Sequence, residues 1–255
     1  MLSLGWPLAA LLVVFATGAA VTVRVAGFGD WRAPLTAALR CVVQLAAVSS
    51  VIGFVLHSMW WTGLFVTFMM VVAAGTASRR ITRPQGIALG RGSAWMLLPV
   101  AGAVGPAMAL ALVTRVVPFE PIAVLPTSGI LIGGAMTAAT LAGRRVVDEL
   151  ESHHGSYEAA LALGFTRRQS IGIVARAAAA LALVPGQDQT RTVGLVTLPG
   201  AFVGVLLAGA SPIEAGAAQA FILISLLAVQ AVAAAITVEL VAAMRVTPDN
   251  LVLQA

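Results

Sequence analysis

The residues able to do chemistry in this chain are few and widely spaced. Thr36, Arg40 and Gln44 recur every fourth residue, so on a helix they share one face. Arg40 lies inside a long apolar run, TAALRCVVQLAAV. A central arginine costs roughly 2.5–3.5 kcal/mol to insert into a bilayer, so it must meet protein or water. Two readings stand: a stripe lining a translocation path, or a structural bond from Arg40 to carbonyls of a neighbouring helix. Gln219, Gln230 and Thr237, at spacings of eleven and seven, also share a face. Interhelical hydrogen bonding is their first reading, and Gln219 is also a path candidate. Glu239 points the other way. Gly129 and Gly133 form a GxxxG, and Gly200, Gly204 and Gly209 follow Pro199. Small residues let helix backbones approach closely. A Pro-Gly break inside a span can also expose backbone carbonyls to a cavity.

The usual catalytic constellations are missing. Cys41, His57, His153, His154 and the eight methionines show no spacing that would gather several metal ligands, so metal-binding residues stay unassigned. No H-E-x-x-H pair and no nucleophile-base set occurs. The chain reads as a non-enzyme. A single cysteine excludes an internal disulfide. The sequence contains no lysine. A P-loop needs a lysine to reach the β/γ-phosphates, so no cofactor is expected on this chain. Any ATP and Mg it depends on must sit on a partner ATPase.

Those side chains need membrane elements to position them. Of 255 residues, 60% are hydrophobic and 10% charged, against about 25% charged in soluble domains. The fold class is all-α: a polytopic helix bundle of about seven transmembrane helices, with 1–255 a single membrane domain. The spans predicted from apolar run length are 4–23, 34–57, 59–77, 95–115, 122–143, 193–210 and 214–243. An eighth run, 171–184, is short, contains Arg176, and reads as an interfacial or protein-packed helix. The N-terminus lacks a basic leader and reads as a first span rather than a signal peptide.

With the N-terminus outside and the C-terminus cytoplasmic, thirteen of the fifteen arginines fall inside, as the positive-inside rule expects. Localisation is thus the cell membrane, multi-pass. Arginines at span ends do not suggest nucleic acid. The basic loop 79–92 and the region 144–192 are then cytoplasmic, and the external loops are short.

Within 144–192, Ser156 can cap a helix carrying Glu158, Ala159, Leu161 and Leu163. Gly164 fits its C-terminus, where a residue takes positive φ without steric cost. Phe165, Thr166, Arg167 and Arg168 follow. The product is a short helix beneath the membrane that exposes small and apolar residues. Glu158-Ala159-Ala160 with Gly164 resembles the EAAxxxG coupling segment of ABC importer permeases, but position 177 is Ala where that motif expects Pro.

Further on the resemblance becomes specific. LALGFTRRQS is followed by VPGQDQTRTVGLVTLPGAFVGVLLAGASPIEAGAAQ. This resembles the FetB-type iron-export permeases and the related plant aluminium-tolerance permeases. The matching positions include Leu161 to Thr166, Arg176, Pro185, Asp188, Thr192 to Leu195, Leu198 to Gly200, Gly204, Ser211-Pro212 and Gln219. Arg40, Gln44, Pro126, Gly129 and Gly133 match upstream. Gly134 stands where that family usually has Asn, and the third span lacks the family's usual Asn.

The resemblance implies the membrane subunit of an ABC exporter, dimeric, moving iron or another metal ion. It implies that 157–168 docks on an ATPase subunit, so Glu158, Ala159, Leu161, Gly164, Phe165, Thr166, Arg167 and Arg168 are the coupling candidates. Thr36, Arg40, Gln44, Gly129, Gly133, Pro199, Gly200, Gly204 and Gln219 are the path candidates. An ATP-independent channel or secondary transporter is the alternative, as is an ABC permease for a non-metal cargo. A secondary transporter needs a mid-membrane carboxylate, which only Glu239 approaches on this reading.

Overall fold

The structure is a computed structural model that describes residues 5–82 and 91–246, with the backbone alone for 91 and 92. Most of the basic loop read at 79–92, including Arg83, Pro84, Gly86 and Gly90, lies outside the described residues. The regular structure is helical. Among the described residues, seven helices are long and apolar enough to cross a membrane.

The chain divides into two units, 1–57 and 58–255. The first is a helical hairpin of α1 (Trp6–Val25) and α2 (Arg32–Val55). Pro7 sits in the first turn of α1, where its missing N–H costs nothing. Trp31 in the turn is within cation–π distance of two guanidinium groups, Arg24 at 5.8 Å and Arg32 at 5.4 Å. These anchors mark a membrane interface.

The second unit contains α3 (Met59–Thr82), α4 (Arg91–Trp95), α5 (Leu97–Val113), α6 (Pro121–Ser152), α7 (His154–Ala162), α8 (Arg167–Ala180), α9 (Val184–Thr192), α10 (Gly200–Leu207) and α11 (Pro212–Ala242). Contacts at glycines set their directions. Gly129 faces Met69 and Gly143 faces Ile81, so α3 and α6 run parallel. Gly134 abuts Leu226 and Gln230, while Gly143 abuts Thr237, so α11 runs parallel to α6. Helices α5 and α8 run the other way. Trp95, just before α5, lies under Arg245 while Gly102 meets Ile236 on α11, and Arg168 reaches Glu239 while Gly186 meets Gln230. The ends of α3, α6 and α11 and the start of α8 therefore share one end of this unit. That basic end holds Arg79, Arg80, Arg144, Arg145, Arg167, Arg168 and Arg245.

Two elements differ from the sequence expectation. The run 171–184 is not a separate interfacial helix. It belongs to a 26-residue apolar helix, Arg167–Thr192, long enough to span. A 3-10 turn at Leu181–Leu183 joins α8 to α9, and Pro185 falls in the first turn of α9, where it needs no acceptor. Conversely, 193–210 is not a span. Val193 and Pro199 are extended, Gly194 has φ +80°, and the helix that follows has only eight residues. Eight residues give about 12 Å of helix, under half the hydrocarbon thickness.

The two segments instead form one interrupted crossing. Phe202 lies against Gln219 and Gly186 against Gln230, so α9 and α10 both run antiparallel to α11, with a break at 193–199 between them. The hydrophilic region read at 144–192 accordingly shrinks. Residues 167–192, with Arg176 and Arg191, enter the crossing.

Candidate functional site

Three places in the second unit collect the chemistry-bearing side chains. At the basic end, α7 packs between α6 and α8 with Tyr157 and Ala160 buried. Glu158, Ala159, Leu163, Phe165 and Arg167 are exposed around it, and Leu161 is half-buried. Gly164 has φ +90°, a conformation that L side chains rarely adopt, so the expected glycine terminus is present. The expected cap is not. The helix starts at His154 and Ser156 lies inside its first turn. The acid at 158 pairs with His154 Nε2 at 3.2 Å one turn back. Thr166 instead caps the next helix. Its Oγ1 accepts from the Gln169 N–H while Gln169 Oε1 accepts from the Thr166 N–H at 2.9 Å. The spacing T-x-x-Q is a capping-box signature and would have located the start of α8 from sequence.

Beside it, Arg168, Arg176 and Glu239 line an open cavity of about 800 Å³ whose other walls are alanine- and leucine-rich. Arg168 Nε donates to Glu239 Oε2 at 2.6 Å. Arg168, Gly172 and Arg176 repeat every fourth residue on one face of α8. Sequence reading placed Arg168 on the coupling surface and left Arg176 unassigned. Both follow from treating α8 as the start of a crossing.

The third place is the interrupted crossing. Gln219 is 95% buried by its 5% exposure, and its Oε1 accepts the Phe202 N–H at 3.2 Å. Phe202 is the third residue of α10, whose first amides have no acceptor within the helix. Gln219 thus caps α10 from a neighbouring helix. Pro199 is the N-cap of α10 and Gly200 its first residue. Gly204 lines a cavity of about 620 Å³ between α6, α10 and α11, with Pro126, Thr127 and Phe221 among its walls. Pro199, Gly200, Gly204 and Gln219 are therefore brought together.

The other path candidates are not gathered there. Gly129 is turned toward Met69 of α3, and Gly133 meets nothing within 4 Å. The close helix approaches are at Gly134, Gly143 and Gly186, none of which the GxxxG spacing picked out. Thr36, Arg40 and Gln44 lie in the hairpin unit and are exposed. Thr36 Oγ1 donates to the Ala33 carbonyl at 3.0 Å, and Arg40 has no polar partner among the described residues. Gln230 is wedged between Gly134 and Gly186, and its buried Oε1 has no hydrogen-bond partner. Among the described residues no three His, Cys, Asp or Glu side chains come close enough to hold a metal.

The model of an uncharacterised protein family, UPF0014, matches residues 6–245. The chain belongs to the UPF0014 family. Its UPF0014 relatives include the membrane protein STAR2 of Oryza sativa subsp. japonica, 34% identical over 82% of this chain and 72% of that protein. The protein ALUMINUM SENSITIVE 3 of Arabidopsis thaliana is 36% identical over 65% of this chain and 61% of its own length. The "Probable iron export permease protein FetB" of Escherichia coli (strain K12) is 30% identical over 69% and 67%. No solved structure matches. The UPF0014 chain is a polytopic helical membrane protein.

Proposed function

We propose that this UPF0014 protein is the permease subunit of an ABC transporter that exports a metal ion, iron first among the candidates. The observation that carries the reading is the exposed α7–Gly164–Phe165–Arg167 knob at the basic end of the bundle. A partner ATPase would dock there, and closure of two ATPases would push on α7 of two permease copies. The arginines at that end favour a cytoplasmic location, which is where ATP is bound. The chain lacks the lysine of a P-loop, so the ATP and Mg belong to the partner. A homodimer is supported by Arg40 and Gln44, polar side chains on an apolar helix that lipid alone cannot satisfy. The relative named as an iron export permease supports both the direction and the cargo.

Affinity purification of the tagged chain from its native membrane tests this. A P-loop ATPase should come with it in stoichiometric amount, and Glu158→Arg should abolish that association while the permease stays folded. A chain that comes alone and moves cargo without ATP overturns the reading. An ATP-independent carrier gains one specific support from the structure. Asp188 lies inside the interrupted crossing rather than in a cytoplasmic loop, and a secondary transporter needs such a carboxylate.

A further inference from the structure

Arg176 lies within the apolar helix Arg167–Thr192, about 12 Å beyond Arg168 at 1.5 Å per residue. It has no polar partner among the described residues. Its guanidinium folds back over Gly172, where an added Cβ would stand 3.7 Å from Nη2 and 3.9 Å from Cζ. The charge therefore leans about one turn toward Arg168 and the basic end, as the long stem of a cationic side chain allows on a membrane helix. The cavity of about 800 Å³ beside it has one acid among its lining residues, Glu239, and Arg168 Nε already donates to that carboxylate at 2.6 Å. Two arginines against one carboxylate leave one positive charge without a counter-ion. The remaining walls are apolar, with Ala179, Ala180 and Leu183 on one side and Ala231 and Ala235 of α11 on the other. They offer no acceptor side chain. A cation meets net repulsion here, so the cavity calls for an anion.

We infer that the cavity binds one anionic phospholipid, its phosphodiester on Arg168 and Arg176 and an acyl chain along the alanine wall. The inference rests on the membrane reading of the chain and not on the transporter proposal. Guanidinium groups match phosphate oxygens through charge-assisted hydrogen bonds. A guanidinium has five N–H donors, and a carboxylate in a forked pair takes two, so Arg168 can hold Glu239 and a phosphate together. A zwitterionic lipid brings its own ammonium and leaves the extra charge of the cavity in place, whereas an anionic diester removes it. A free phosphate ion gains nothing from the apolar walls, while Ala180, Ala231 and Ala235 are exposed in the layer where acyl chains lie. Basic pockets between membrane helices on the cytoplasmic side suit anionic headgroups, and the arginine-rich end of this unit is the end that favours that side. A lipid seated here ties α8 to α11 beside the Arg168–Glu239 pair.

The test is native mass spectrometry of the full-length chain in detergent micelles, titrated with dioleoyl phosphatidylglycerol or dioleoyl phosphatidylcholine. One phosphatidylglycerol should bind more tightly than phosphatidylcholine with the same acyl chains. Arg176→Gln should weaken phosphatidylglycerol binding about fivefold, the attraction of one basic residue for an anionic headgroup, and leave phosphatidylcholine unchanged. Arg176→Lys should keep most of the affinity. Arg80→Gln, at the same end but outside the cavity, should have no effect. Ala235→Phe fills the groove and removes no charge, and it should also lower phosphatidylglycerol binding. The inference is overturned if the two lipids bind alike, or if Arg80→Gln and Arg176→Gln weaken binding equally, which would mean a diffuse basic surface. Displacement of the lipid by millimolar inorganic phosphate would overturn it in favour of a free-anion site. Cys41 is the only cysteine. In a Cys41→Ser background, oxidative cross-linking of Ala180→Cys between two copies would overturn it in favour of a subunit contact.

Discussion

Replacing Gln219 by Leu should loosen α10 without disturbing the rest of the bundle. The bond at stake joins two segments 17 residues apart, Phe202 N–H to Gln219 Oε1 at 3.2 Å, in a side chain that is 95% buried by its 5% exposure. Leucine is similar in size and keeps the packing, so the change isolates the lost acceptor. A buried backbone N–H left unpaired costs about 1–3 kcal/mol. Measured hydrogen bonds between membrane helices average nearer 0.6 and reach about 1.7 kcal/mol. The expectation is therefore about 1–2 kcal/mol, confined to an eight-residue helix with little else to hold it. At 1.4 kcal/mol per factor of ten, the open population of α10 rises about 5–30-fold. Hydrogen exchange in nanodiscs should show faster exchange of a 199–207 peptide by that factor, with α6 peptides unchanged. Gln219→Glu, which keeps an acceptor oxygen, should restore most of the protection. Equal exchange in wild type and Gln219→Leu would refute the capping role.

Other consequences follow from the same geometry. Gly134→Val should lower the detergent melting temperature, because a side chain there meets Leu226 and Gln230, and overpacking costs about 1–3 kcal/mol; Gly133→Ala, with nothing within 4 Å, should be silent. Gln230→Leu should be neutral or stabilising in thermal unfolding, since its Oε1 is buried without a partner and removing an unsatisfied group relieves its desolvation. Arg168→Glu and Glu239→Arg should each impair transport, and the double swap should recover part of it, because the two side chains meet across α8 and α11. Gly164→Ala should cost about 1–2 kcal/mol through its positive φ and should reduce ATPase docking in pull-downs.

Much of the bundle is legible in the residue pattern, and the departures have physical causes. Apolar run length finds α1, α2, α3, α5, α6 and α11, because lipid demands long uninterrupted apolar helices. It fails at 167–210, where it cannot see that α9 is polar yet still inside the membrane. Apolar run length reads VPGQDQTRT as a loop and 193–210 as a span of its own. The capping-box spacing at Thr166 and Gln169 and the Pro199–Gly200 break are the signals in the sequence that mark the division the structure shows. At the candidate site, Gly164 is legible because a positive φ after a helix leaves few residue choices. Gln219 is legible as a buried polar residue but not as a cap, since its partner is a backbone amide. Arg176 is not legible as a cavity residue, because 171–184 reads from the sequence as an interfacial or protein-packed helix on the cytoplasmic side. The close approaches at Gly134 and Gly186 depend on which face meets α11, which spacing alone does not determine.

The central claim is that a separate ATPase drives metal export through this chain by way of α7. Inside-out vesicles containing the permease and its co-purifying ATPase test it most directly, by following Fe²⁺ accumulation with and without ATP. The account predicts accumulation that requires ATP and is lost in Glu158→Arg while the permease remains folded. ATP-independent accumulation, or ATP-driven accumulation unaffected by Glu158→Arg and Gly164→Ala, would contradict it.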